Sequence, residues 1–264
     1  MSTYYYEAGT IPLLISMPHN GHHIPANIAR RMTPYAATSP DTDWHMDRLY
    51  KFVAELGAYI IRPYCSRFVI DLNRPPDNKA LYPGAENTEL CPSSCFDETP
   101  IYRSGQNPSL DEIEDRRESY WQPYHDQLAS TLQDIREKHH LALLYDAHSI
   151  RSLLPRFFLG RLPDLNLGTG SGTSCDMQIG ERLSTMLENQ KNFSHVLNGR
   201  FKGGYITRHY GDPSINIHAI QMEQAQITYM NENPPYNYLP EKAEKVIPIL
   251  RSVVEVFMNV ATDL

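Results

Sequence analysis

The chain has 264 residues, with 24 Lys+Arg against 31 Asp+Glu and a formal net charge of −7. That acidic balance argues against a nucleic-acid or anionic-membrane partner, since either needs clustered Lys and Arg to meet phosphate. Apolar residues at 41% and aromatics at 10% exclude a disordered chain, and the length suits a single α/β domain over residues 1–264.

The opening stretch Met1 to Glu7 has neither the basic flank nor the apolar core of a signal peptide. No run approaches the ~18 apolar residues of a membrane span. Cys65, Cys91, Cys95 and Cys175 are too few for a disulfide scaffold, so the expected compartment is the reducing cytoplasm. Cys91-Pro-Ser-Ser-Cys95 lacks a second Cys/His pair at matching spacing and is not expected to hold a structural zinc.

Tyr4-Tyr-Tyr6 reads as a set of packing or loop anchors. Ile11 to Met17 is a short apolar run ended by Pro18 and predicts a buried strand, with Pro12 near its first residue. After Asp41-Thr-Asp43, residues Trp44, Leu49, Phe52, Val53 and Leu56 recur at helical spacing up to Gly57. Ala58 to Arg62 and Arg67 to Asp71 follow as two predicted strands. The proline-rich, polar stretch from Arg74 to Pro108 predicts a long ordered loop, of the kind that is functional and could close over a site.

Trp121, Leu128, Leu132 and Ile135 mark one face of a helix running to about His140, where His139 and His140 form a solvated end. Leu141 to Tyr145 is a continuous apolar strand suited to the centre of a sheet. Gly168 to Gly172 predicts a flexible connector before a helix over about Asp176 to Glu188. Strands around His195–Leu197 and His218–Met222 precede a C-terminal helix from about Pro240. Strands alternating with helices imply a three-layer α/β/α fold with a mixed, mostly parallel sheet, and in such sheets chemistry gathers at the carboxyl ends of the strands.

Polar residues fall at those ends: His19 and Asn20 after the first strand, Asn73 and Arg74 after another, Asp146 and His148 after the central one, and Glu223 in the late strand. Taken singly, each has an ordinary structural explanation, such as a satisfied core histidine or a surface ion pair. Taken together, two histidines and separate carboxylates match the needs of a mononuclear metal hydrolase: ligands, an open position for water, and a carboxylate to take the proton. Glu223 is the most telling, because an unpaired carboxylate in an apolar strand is costly.

Six segments in order resemble the N-formylglutamate amidohydrolases (deformylases): Ser16 to Gly21, Asp41 to Trp44, Ser66 to Pro75, Asp146 to Ser152, Asn198 to Gly204 and Gln221 to Glu223. The resemblance covers nearly the whole chain. It implies a zinc carboxypeptidase- and aspartoacylase-like fold and the hydrolysis of N-formyl-L-glutamate to formate and L-glutamate, the closing step of a histidine-degradation route. It also implies one Zn²⁺ per chain, or another divalent ion, bound by His19 and His148. Where the carboxypeptidase pattern has a glutamate three residues after the first histidine, this chain has His22, so Asp43 is the first choice for the remaining ligand, with Asp47 and His22 as alternatives. Glu223 matches the general base, Asn73 and Arg74 the carboxylate clamp, and Arg67 an arginine that stabilises the oxyanion.

A substrate with two carboxylates requires a local basic pocket, to which Arg74 and Arg200, Lys202 or Arg208 could contribute. Two alternatives stand beside the deformylase reading. One is a deacylase of another N-acyl acidic amino acid, such as N-succinylglutamate or N-acetylaspartate; the other is a non-catalytic binding protein for acidic amino acids. Homo-oligomerisation is left open by the sequence.

Overall fold

Strand β4 (Ala142–Ile150) is buried along its whole length, which places it centrally with both faces covered. The computed structural model describes residues 3–80 and 86–263. In it β4 is flanked by two parallel neighbours, β2 (Leu13–Ser16) and β7 (Ile217–Ala225). The sheet is completed by β1 (Tyr4–Glu7), β3 (Tyr59–Pro63), β5 (Leu165–Gly168) and β6 (His195–Leu197), in the order β1-β3-β2-β4-β7-β5-β6. The β1–β3 and β5–β7 pairs are antiparallel and the others parallel, which gives the mixed, mostly parallel sheet expected.

The two-residue period of the strands divides the core. Leu143, Tyr145 and Ala147 face a layer containing α2 (Met46–Leu49), α3 (Phe52–Glu55), α6 (Met177–Asn189) and α8 (Pro240–Thr262). Ala142 and Leu144 face α5 (Gln122–His139) and α7 (Tyr205–Tyr210) on the opposite side. Along that second face the pattern changes at the carboxyl end of the sheet: Leu144 is followed by Asp146 and His148, and Ala219 by Gln221 and Glu223. A buried face that turns polar at one end of the strands marks where the chemistry sits. Among the described residues no helix is long and apolar enough to cross a membrane.

Several predicted elements are corrected. β4 runs five residues past Tyr145, so Asp146 and His148 lie within the strand rather than after it. Residues Arg67 to Asp71 are not a strand. Ser66 Oγ accepts from the Phe68 amide at 3.2 Å and Ser66 O from the Val69 amide at 2.9 Å, which winds the chain into a turn. Phe68 and Val69 then pack with Ile28, Met32 and Ile101, while Ile70 and Leu72 pack towards α5. The helix expected from Trp44 to Leu56 is two short helices broken at Tyr50 and Lys51. Leu165–Gly168 is a strand, so the connector begins only at Thr169. Tyr4 and Tyr6 do pack on the core, but from an edge strand. The expected loop from Arg74 to Pro108 contains no helix or extended strand among its described residues, and residues 81–85 lie outside them.

Candidate metal centre and substrate cavity

Three elements bring His19, Asp43 and His148 together. His19 lies in the turn after β2, His148 projects from β4, and Asp43 is held back against the strand end by its own amide, which donates to His19 O at 3.0 Å. The Nδ1 atoms of the two histidines are 3.1 Å apart. Asp43 Oδ2 lies 3.8 Å from His19 Nδ1 and 3.4 Å from His148 Nδ1. Donors bound to one ion at about 2.0–2.1 Å in tetrahedral geometry stand about 3.4 Å from one another, so this set fits a divalent metal. The three residues form a buried group able to hold an ion.

Each imidazole is backed by a carboxylate. His19 Nε2 donates to Asp71 Oδ1 at 2.6 Å, and His148 Nε2 to Asp146 Oδ2 at 2.9 Å. Such partners fix the tautomer that leaves Nδ1 as the donor to a metal. Asp146 is held in turn by Ser16 Oγ at 3.0 Å, and Asp43 Oδ2 accepts from the Ser149 amide at 3.1 Å. Burial and the neighbouring Arg67 depress His19 to a pKa of about 4, against the pull of Asp71. For His148 burial acts in the same downward sense, but Asp146, Asp43 and Glu223 outweigh it and raise the pKa well above the ordinary value. Asp43 and Asp71 are held low despite burial, through hydrogen bonding to His148 and the charge of His19 respectively.

The register of the sheet sets Glu223 directly beside His148 on the adjacent parallel strand. Burial raises the Glu223 pKa, with Asp43 and Asp146 adding to the rise and His148 and Arg67 opposing it. A carboxyl raised in this way can both accept and return a proton near neutral pH. Arg67 reaches the coordinating side of His19, donating from Nη2 to Nδ1. Its guanidinium is stacked 4.8 Å from the Phe96 ring centre.

One cavity joins these groups: His19, Arg67, Asn73, Arg74, His148, Arg200 and Glu223 all line it. Asn73 is fixed through its Oδ1, which accepts from the Ile206 amide at 2.9 Å, and its Nδ2 lies beside the His148 ring, 3.0 Å from Nε2. Gly204 allows this approach, because a Cβ there would lie 2.2 Å from Asn73 Nδ2. Arg74 holds Thr88 O at 3.0 Å and Thr88 Oγ1 at 2.7 Å. Arg200 donates to Phe157 O at 2.8 Å and Glu86 O at 3.2 Å, so it bridges two walls of the cavity.

The family model for N-formylglutamate amidohydrolase matches residues 11–230. This chain belongs to the N-formylglutamate amidohydrolase family. It is 47% identical over 253 residues to the N-formylglutamate deformylase of Pseudomonas putida, covering 96% of this chain and 94% of that protein. The corresponding protein of Pseudomonas aeruginosa is 46% identical over 250 residues, covering 95% and 94% of the two chains. The crystal structure of N-formylglutamate amidohydrolase from Ralstonia eutropha superposes with a TM-score of 0.80 at 22% identity, covering 99% of this chain and 98% of that one. That likeness bears on the fold alone.

Against the family pattern, the structure brings Asp43 to the two histidines and leaves the alternatives outside. Asp47 is exposed and 3.6 Å from Arg62 Nη1, and His22 is exposed with its ring centre 5.5 Å from that of Trp44. Lys202 and Arg208 are not among the described residues lining the cavity. Lys202 O accepts from the Gly170 amide at 2.6 Å and its side chain is exposed, while Arg208 lies on the exposed side of α7 with Nε on Gly203 O at 2.7 Å. Sequence reasoning assigned no role to Asp71, although it sits two residues before Asn73 in the quoted motif. It also missed Phe96, Phe157 and Phe201, cavity-lining residues in irregular segments where no periodicity marks them.

Proposed function

We propose that this chain hydrolyses N-formyl-L-glutamate to formate and L-glutamate, using one Zn²⁺ bound by His19, Asp43 and His148. The observation that carries the reading is the convergence of three metal-donor atoms with Glu223, Arg67 and two further arginines in one cavity. The relatives named above as N-formylglutamate deformylases supply the substrate. A bound Zn²⁺ supplies acidification of water and polarisation of the amide carbonyl.

The chain's own residues do the rest. Glu223 takes a proton from the attacking water as its oxygen adds to the formyl carbon, and returns it to the nitrogen as the C–N bond breaks. Arg67 donates to the carbonyl oxygen as negative charge develops there, a type of contact worth about 3–4 kcal/mol. Asn73 and Arg74 take the carboxylate nearer the amide. Arg200, bridging two walls further along the same cavity, takes the other. Arginine forks suit both contacts because they meet carboxylates bidentately. The activity is carried by a single domain and acts in the cytoplasm as the last step of histidine degradation.

The test is glutamate release from N-formyl-, N-acetyl- and N-succinylglutamate by purified protein, before and after chelation and Zn²⁺ replacement. The formyl substrate is expected to be preferred and the activity to return with Zn²⁺. A preference for the acetyl or succinyl compound would transfer the reading to another deacylase.

A further inference from the structure

The segment from Val69 to Arg74 carries Asp71, Asn73 and Arg74 into the site, yet it belongs to no strand. Its carbonyls therefore lack ladder partners, and buried carbonyls must find donors elsewhere. Three buried side chains from one continuous helical stretch supply them. Arg116 Nη1 donates to Val69 O at 2.9 Å, His125 Nε2 to Leu72 O at 2.8 Å and Trp121 Nε1 to Arg74 O at 3.0 Å.

In an unbroken α-helix, positions 116 and 121 would point roughly 140° apart. Here α4 (Leu110–Arg116) passes into a π turn over Arg117–Trp121 before α5 begins. A π turn closes i→i+5, so residue 121 comes back almost beneath residue 116 and both face the segment. His125, one α-turn further on, continues the same line; its ring stacks on Trp121 at 3.7 Å and on Tyr210 at 5.8 Å. Tyr210 ends α7, whose Ile206 amide holds Asn73 Oδ1. The donors thus act on the outer side of the same backbone whose side chains line the cavity.

We propose that Trp121 and His125, aligned by the π turn with Arg116, are positioning residues for substrate recognition: they fix the Leu72 and Arg74 carbonyls and so set where Asn73 and Arg74 meet the substrate carboxylate. This rests on the deformylase reading given above. Asp43 and His148 are held by other elements, and the Asp71 side chain keeps its own bond to His19 Nε2 at 2.6 Å, so in zinc-loaded protein loosening the Leu72 and Arg74 carbonyls acts on substrate binding more than on turnover.

The test compares wild type with Trp121→Phe, His125→Leu and His125→Gln as zinc-loaded proteins, measuring kcat, KM for N-formylglutamate, metal stoichiometry and Tm. Trp121→Phe and His125→Leu each remove one donor and are expected to raise KM roughly tenfold, with kcat within about twofold and metal retained. His125→Gln keeps an N–H for Leu72 O and is expected to recover most of the lost affinity. A fall in Tm with KM unchanged in both donor-less variants would overturn the positioning role, as would a Gln variant no better than Leu. Should Trp121→Phe fold poorly, the His125 pair decides alone. An inactive zinc-loaded wild type would instead refute the deformylase reading itself.

Discussion

His19 and Asp71, 52 residues apart, meet Nε2 to Oδ1 at 2.6 Å, on the side of the imidazole away from Asp43 and His148. The contact assigns the Nε2 proton and leaves Nδ1 as the donor facing the other two groups. Asp71→Asn keeps the shape but weakens the acceptor, and is expected to lower metal affinity by about 10–100-fold. Competition with a chromophoric chelator measures this, and an unchanged affinity would remove Asp71 from that role.

Glu223→Gln should leave the three donor atoms in place while removing the proton carrier. We expect full metal stoichiometry with kcat down by ~10²-fold or more. Near-normal turnover would assign the base elsewhere.

Arg200 reaches the cavity between the Phe157 and Phe201 rings, at 5.9 and 5.4 Å from their centres. Losing a charge-assisted contact to the substrate's side-chain carboxylate costs on the order of 1.5–3 kcal/mol. Arg200→Leu is therefore expected to cut kcat/KM for N-formylglutamate by about 10–100-fold while barely changing that for N-formylglutamine. Equal losses on both substrates would show that Arg200 does not read the side-chain charge.

The fold was largely legible. Apolar runs at Leu13–Ser16 and Ala142–Tyr145, and the periodic helices over Gln122–His139 and Pro240–Thr262, carry their periods openly. What failed did so for a common reason: the backbone's partners come from far away in the chain. Phe68-Val-Ile reads as a strand locally, yet Ser66 turns it, and Arg116, His125 and Trp121 take the Val69, Leu72 and Arg74 carbonyls in place of a neighbouring strand. His125 accordingly looked like one more helix residue. In the site, His19, His148 and Glu223 stood out because polar side chains fall at the ends of apolar strands, and Asp43 was already the first choice over Asp47; what the sequence did not carry is the contact that holds it there, its amide on His19 O at 3.0 Å. Among Arg200, Lys202 and Arg208 the sequence did not choose, since charge alone does not say which way a side chain leaves a glycine-rich segment; of the three, Arg200 lines the cavity.

Burial holds the His125 pKa down at about 3, with the ring neutral and donating to Leu72 O. Below the ordinary value of about 6.5 the unfolded chain binds a proton that the folded chain refuses. This contribution is complete above pH 6.5 and shrinks as the pH falls towards 3, by up to about 1.4 kcal/mol per pH unit. Denaturant unfolding of wild type and His125→Gln between pH 7.5 and about 4.5 is expected to show a steeper acid loss in the wild type. Parallel curves would contradict the buried neutral imidazole.

We propose that His19, Asp43 and His148 jointly bind the ion that hydrolysis needs. An anomalous-difference map recorded at the zinc edge, from crystals of active zinc-loaded protein, tests it most directly. One strong peak is expected, bonded to both Nδ1 atoms and to an Asp43 carboxylate oxygen at about 2.0–2.2 Å. Active crystals with no peak between these three side chains would contradict it.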